Sequence, residues 1–262
     1  RALKTATTSS ADSHNHPPLC RRRLHPPQID DAQAGRLRSL GPFAFDGPVE
    51  IIAHRGYSAQ APENTLAAMK LAVRAGADAV EFDVQTASDH TPYLLHDGTL
   101  DRTSDGAGLI ETWSPDRLAG LDAGSWFSEA FAAEPIPTLA HVLDQMTGRI
   151  ARVYAEVKSF RSPSDLERIV EIVGDSGIGN QTVFISMDWE ALDRVRQIDT
   201  GALIGYIIEE RSRATEGISR AQGDPRALLD FNAEVLLDDP HLAERSRAAD
   251  IRLVTWTVNT VE

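Results

Sequence analysis

From Val49 onward the chain alternates short apolar runs with longer stretches in which apolar residues recur at helical spacing. The short runs predict strands over 50–53, 79–84, 93–95, 153–157, 182–186, 203–208, 234–237 and 252–258. The helical periods fall over 65–75, 139–145, 164–173, 189–197, 225–231 and 241–249. Asn64 is placed to cap the first helix, which closes at Gly76. Ser164, with Glu167 three residues on, reads as a capping box for the third. Strand–helix alternation of this length predicts an α/β chain with a parallel sheet, and about eight strands predict closure into a (β/α)8 TIM barrel. A doubly wound open sheet would need a glycine-rich phosphate loop after its first strand, and His54–Arg55–Gly56–Tyr57 is not one.

Two stretches depart from a regular barrel. Residues 85–92, between the second and third strands, are too few for a parallel crossover, which takes roughly ten to twelve residues or more, so a hairpin is expected there. Residues 98–138 are too long for a plain loop and carry Trp113, Trp126 and Phe127, which predicts a small ordered insertion over the barrel mouth, after the third strand. Residues 1–48 show no sustained period. With Pro17–Pro18, Arg21–Arg22–Arg23 and Pro26–Pro27, they cannot bury enough surface to offset their ordering entropy and read as a disordered segment ahead of a barrel domain over 49–262. A metal site from His14, His16 and His25 in that segment is the weaker reading.

Composition narrows the function classes. A formal charge of −13 over 262 residues opposes a nucleic-acid surface, because phosphate backbones are held by Lys and Arg. A single cysteine, Cys20, excludes an internal disulfide and a multi-cysteine metal site. The chain has no apolar run of the roughly 18 residues that a spanning helix needs. Near its start, Thr7–Thr8–Ser9–Ser10 stands where a signal peptide would be apolar. The first residue is Arg1 and not Met, so a preceding segment is open. Compartment is therefore open, with the cytoplasm favoured, and oligomeric state is not legible.

The candidate chemistry lies where polar residues interrupt apolar strands near their C-terminal ends, the end at which such barrels place their sites. His54–Arg55 follows Ile51–Ile52–Ala53, and His96–Asp97 follows Tyr93–Leu94–Leu95. Residues i and i+2 of a strand share a face, so Glu81 and Asp83 point together, as do Glu156 and Lys158, while Phe82 and Val157 face the helices. Two carboxylates pointed into a barrel lumen are costly unless a partner neutralises them. A divalent cation is the natural partner, and the all-oxygen set Glu81, Asp83 and Glu156 suits a hard ion, Mg²⁺ or Ca²⁺.

In order along the chain, these residues resemble the glycerophosphodiester phosphodiesterase family. His54–Arg55–Gly56 with Ala61–Pro62–Glu63–Asn64–Thr65 is similar to its opening motif. Glu81–Phe82–Asp83–Val84 is similar to its acidic strand, and His96–Asp97 with Arg102–Thr103 to its second histidine motif. Ile136–Pro137–Thr138–Leu139, Glu156–Val157–Lys158 and Trp256–Thr257–Val258–Asn259 follow in the family's order, so the likeness spans about residues 49 to 262. The resemblance implies a (β/α)8 barrel that splits a glycerophosphodiester, a small molecule, into glycerol 3-phosphate and an alcohol. It implies that Glu81, Asp83 and Glu156 hold the metal and that His54 and His96 are the general acid–base pair. It further implies that Arg55 and Lys158 contact phosphate and that Trp256 packs on the glycerol moiety. Glu63 is left between a helix-start residue and a support of the metal site. The family continues past the Trp-Thr-Val-Asn motif by a few tens of residues whereas this chain stops at Glu262, which predicts an open barrel seam. The competing readings are a phosphoinositide- or sphingomyelin-type phosphodiesterase of the same barrel superfamily, and a catalytically dead binding module.

Overall fold

The computed structural model describes residues 49–258. The segment expected to be disordered, 1–48, and Asn259 of the last motif lie outside the described residues. In chain order the elements are β1 (Ile52–Ala53), α1 (Leu66–Ala75), β2 (Ala79–Thr86), β3 (Pro92–Leu94), α2 (Pro115–Leu118), α3 (Leu139–Met146), β4 (Arg152–Val157) and α4 (Pro163–Asp175). There follow β5 (Thr182–Ser186), α5 (Trp189–Ile198), β6 (Leu203–Ile208), α6 (Ala214–Ala221), β7 (Ala227–Asn232), α7 (Ala233–Asp238), α8 (His241–Ala248) and β8 (Arg252–Trp256). Among the described residues no helix is long and apolar enough to cross a membrane.

The strands other than β3 pair in parallel in the order β1-β2-β4-β5-β6-β7-β8. Their alternation sorts side chains into two layers. Val80, Phe82, Val84, Val153, Ala155, Val157, Phe184, Ile204, Leu229 and Phe231 face outward and pack under the helices with Met69, Leu143, Leu166 and Leu192. Ala79, Tyr154, Val183, Ile185, Leu203, Ile207 and Leu228 face inward, and Ile52, Val254 and Trp256 from β1 and β8 join the same cluster. One apolar interior fed by all seven parallel strands means that the sheet curls on itself as the (β/α)8 fold requires.

Among the described residues no backbone ladder joins β8 to β1, but side chains span that gap. Just before β1, the Glu50 carboxylate accepts from Arg252 on β8 at 2.7 Å, from Arg152 on β4 at 2.7 Å and from the Tyr154 hydroxyl at 3.0 Å. The Glu50 side chain is 4% exposed, so it draws the N-terminal ends of three strands onto one buried acid.

The short connection after β2 is a hairpin, with β3 antiparallel to β2 and Val84 opposite Leu94. The stretch after it has its own small core of Leu95, Leu100, Ile110, Leu118, Ala123 and Ile136, with Trp113 packed alongside. Trp126 is 42% exposed and is anchored by its indole N–H on the Ala123 carbonyl at 2.8 Å.

Several expected elements are corrected. Residues 225–231, expected as a helix, form strand β7, and residues 234–237, expected as a strand, lie in helix α7. Short apolar runs fit both periods and tertiary packing chooses between them; at the switch Asn232 ends the strand and caps the helix, its side chain accepting from the Glu234 N–H at 2.9 Å. Helix α6 was not anticipated, because its buried face consists of Ala214, Gly217, Ile218 and Ala221, small residues that leave a weak apolar signal. The caps also move. Thr65, not Asn64, caps α1, accepting from Ala68 N–H, and Ser162, not Ser164, precedes α4 with Pro163 in its first turn. Gly76 closes α1 in the left-handed conformation, as its position suggests.

Removing the acid that spans the β8–β1 gap deletes three side-chain hydrogen bonds made to one buried carboxylate. Glu50→Ala is expected to lower stability by about 3 kcal/mol, read as a shift of the urea midpoint.

Candidate active site

The chain leaves β1 through His54 and Arg55 and turns sharply. Arg55 and Gly56 both have positive φ, 55° and 76°. A Cβ at Gly56 would sit 2.7 Å from the Ala68 backbone, so only glycine lets this turn press against α1. The turn carries the Arg55 N–H onto the Glu81 carboxylate at 2.8 Å and sets the His54 ring nitrogen 3.8 Å from the same group.

Glu81 and Asp83 project from one face of β2, and Glu156 joins them from β4, where it pairs in register with Asp83. All three are buried, and one oxygen of each lies within 4.8 Å of the others. Around this cluster, Asn64 donates to Asp83 at 2.7 Å and accepts its N–H at 3.0 Å. Lys158 donates to Glu156 at 2.9 Å and lies 3.7 Å from Asp83, and Arg55 lies 3.3 Å from Asp83. Even so, Glu81 Oε1 and Asp83 Oδ1 are buried with no hydrogen-bond partner. Burial, with repulsion from Asp83 and Glu156, pushes the Glu81 carboxyl well above its ordinary range, and burial with Asp83 raises Glu156. Lys158 is held above its usual value because Glu156 and Asp83 outweigh its desolvation. Two orphaned carboxylate oxygens in an oxygen-only cluster short of positive charge fit a hard divalent cation.

The two histidines approach this well from different strands. Burial, then Arg55, lowers His54 to about 4, so its ring is neutral at physiological pH. His96 follows β3, which runs back down beside β2 and places the Leu95 N–H on the Asp83 carbonyl at 3.1 Å. Its Nδ1 is bonded to Asp97 at 2.6 Å, and Asp97, held chiefly by Arg102, is lowered to about 2. Trp256, at the end of β8, tilts toward His54 with ring centroids 6.4 Å apart, and its indole N–H is buried without a partner. The eight candidate site residues His54, Arg55, Glu81, Asp83, His96, Glu156, Lys158 and Trp256 therefore border one end of the lumen, whereas His14, His16 and His25 lie outside the described residues. Sequence reasoning misassigned Asn64 as a helix cap and missed Asp230 altogether.

Residues 54–262 match the family model described as the glycerophosphoryl diester phosphodiesterase family. The chain belongs to that family of enzymes. It is 30% identical over 214 residues to a glycerophosphodiester phosphodiesterase of Caldanaerobacter subterraneus subsp. tengcongensis, covering 81% of this chain and 86% of the relative. It is 38% identical over 149 residues to YhdW of Bacillus subtilis, of which the chain spans 61% of the length. Among solved structures, an Oleispira antarctica phosphodiesterase in complex with the product sn-glycerol-3-phosphate superposes with a TM-score of 0.74 at 29% identity, covering 81% of this chain and 85% of that one.

Within this member of the family, Asp230 is a buried acid with no evident partner. Leu229 and Phe231 face outward from β7, so Asp230 faces the lumen, between Ile207 and Val254 of the adjacent strands. It is 4% exposed, its Oδ1 lacks a partner, and burial, then Glu156, pushes it up to about 8. The folded chain keeps a proton here that the unfolded chain releases above roughly pH 4. Raising pH from about 4 to about 8 should therefore remove stability, on the order of several kcal/mol, with no further loss from this group above that window. Asp230→Asn is expected to flatten that slope and to be the more stable protein at pH 8, as measured by urea unfolding at pH 5 and pH 8.

Proposed function

We propose that this chain hydrolyses glycerophosphodiesters to sn-glycerol 3-phosphate and an alcohol, using a divalent cation, Mg²⁺ or Ca²⁺, held by Glu81, Asp83 and Glu156. The observation that carries the reading is the pair of imidazoles beside a buried, unsatisfied three-carboxylate well, one of them neutral and the other bonded to an acid. Membership of the family and the product complex of the Oleispira relative support the substrate class.

The substrate's phosphodiester is an anion, and Arg55 and Lys158 supply positive charge at the rim of the carboxylate well. Trp256 offers an apolar face and a free indole N–H to the glycerol end. His54, neutral and partly exposed, can take the proton from the glycerol hydroxyl next to the phosphoester as that oxygen attacks phosphorus. His96, as the imidazolium with its Nδ1–H held by Asp97, carries the Nε2 proton that passes to the departing alkoxide, and the two roles reverse as water opens the cyclic phosphate. The cation, when bound, supplies charge stabilisation for the phosphoryl oxygens and neutralises the acids.

A phosphoinositide- or sphingomyelin-type specificity is the nearest competitor, and a binding module without catalysis is the other. The core packed into residues 95–136 argues against the first competitor, and the presence of both histidines beside the acids argues against the second.

With glycerophosphocholine and Mg²⁺ or Ca²⁺, release of glycerol 3-phosphate is expected, and chelation should abolish it. His54→Ala and His96→Ala should each lower kcat by roughly 10²- to 10⁴-fold. Chelator-insensitive turnover would overturn the metal assignment, and undiminished activity in both histidine variants would overturn the acid–base roles. In a separate measurement, added cation should raise the Tm of the parent chain and leave that of Glu81→Gln nearly unmoved.

A further inference from the structure

Glu63 has no settled role from its place ahead of α1, and Arg102 none beyond its motif. Their contacts form one continuous ionic chain. Arg102 Nε donates to Asp97 Oδ2 at 2.7 Å and Nη2 to Asp97 Oδ1 at 3.3 Å. The same guanidinium reaches Glu63 through Nη1 at 3.0 Å and Nη2 at 2.8 Å, across 39 residues of sequence. Glu63 Oε1 also accepts from Arg55 Nη1 at 3.0 Å. Asp97 in turn holds His96 Nδ1 at 2.6 Å.

We propose that Arg102 is a positioning residue for His96, acting through Asp97, and that Glu63 anchors it to the Arg55 turn after β1. The inference rests on the acid–base role given to His96 above. A carboxylate on Nδ1 selects the tautomer that leaves Nε2 toward the substrate and fixes the ring's rotation. Asp97 can hold that bond in one orientation only if its own carboxyl is prevented from turning, and Arg102 pins both of its oxygens. Four of the five guanidinium N–H groups of Arg102 go to Asp97 and Glu63, so its main reach to the chemistry runs through those acids. Glu63, 15% exposed at its side chain, sits between two arginines, and burial of its carboxylate is outweighed by Arg102 and Arg55. The chain of two acids and two arginines carries no net charge, so it orders the mouth without repelling an anionic substrate.

The test is Arg102→Ala in the full chain, with metal and glycerophosphocholine. It should lower kcat by about 10- to 100-fold while KM changes less than about twofold. Ring-nitrogen NMR of His96 in its neutral form should show the Nδ1–H tautomer in the parent chain and a mixture of tautomers in the variant, a change that simple loss of stability would not produce. Arg102→Lys, a single point charge, should restore part of kcat. If Arg102→Ala fails to fold, Arg102→Gln carries the same kinetic and NMR readouts. A rise in KM with kcat unchanged would make Arg102 a substrate contact and overturn the proposal, as would an unaltered tautomer with unaltered kcat. The NMR readout does not depend on turnover. An inactive parent chain, or full activity in His96→Ala, would therefore count against the acid–base reading while the tautomer shift still judged the network.

Discussion

Three carboxylates crowded into the lumen set the terms for the rest of this molecule. Glu81, Asp83 and Glu156, all buried, bring one oxygen each within 4.8 Å of the others. Such a group can persist only where fixed donors offset both desolvation and repulsion. The donors come from three places: the Arg55 N–H from the turn after β1, Asn64 from just ahead of α1, and Lys158 from just past the end of β4, the strand that carries Glu156. The glycine at position 56, the tight packing of that turn on Ala68 and the parallel register of β2 on β4 all serve to keep those donors in place.

The other end of the strands shows what a carboxylate looks like when it needs nothing more. Glu50 is as buried as Glu81, but its two oxygens receive two guanidinium groups and a phenol hydroxyl. Glu81 keeps one oxygen orphaned, and so does Asp83. The same residue type, buried to the same extent in the same barrel, is therefore structural at one end and open to a ligand at the other. The distinction lies in satisfied lone pairs, not in burial or in charge alone.

How much of this was legible in the sequence depends on the range of the interaction that decides each feature. Period-two alternation is local, so the shared face of Glu81 with Asp83 and the acidic end of β4 could be read directly. The exchange of strand and helix around residue 232 could not, because short runs such as Ala-Leu-Leu and Glu-Val-Leu-Leu suit either period and tertiary packing chooses. Asp230 was hidden by that exchange, since an acid on a helix near the surface calls for no explanation while an acid on a lumen strand does. Asn64 has the composition of a helix cap, and its bonds to Asp83, 19 residues away, leave no mark on local pattern. The link from Glu63 to Arg102 crosses 39 residues and is likewise invisible before the fold exists.

The hairpin after β2 shows how an irregularity in a regular fold can serve the site. A parallel crossover would have delivered the chain to the next strand from below, with its polar end reaching the mouth a full strand away. Instead β3 starts at the top, opposite Thr86, and runs back down until Leu95 bonds to the Asp83 carbonyl. His96 and Asp97 follow at once, so the second histidine arrives beside the acidic strand whose Glu81 lies 3.8 Å from the first. Having been turned back so early, the chain makes an excursion over residues 95–136, around a small core of its own, and returns beside β3 before it forms α3. That excursion brings Arg102 within reach of both Asp97 and Glu63. The short connection and the long insertion are thus one device: the first sets the histidine at the well, and the second supplies the cation that keeps its acid partner from turning.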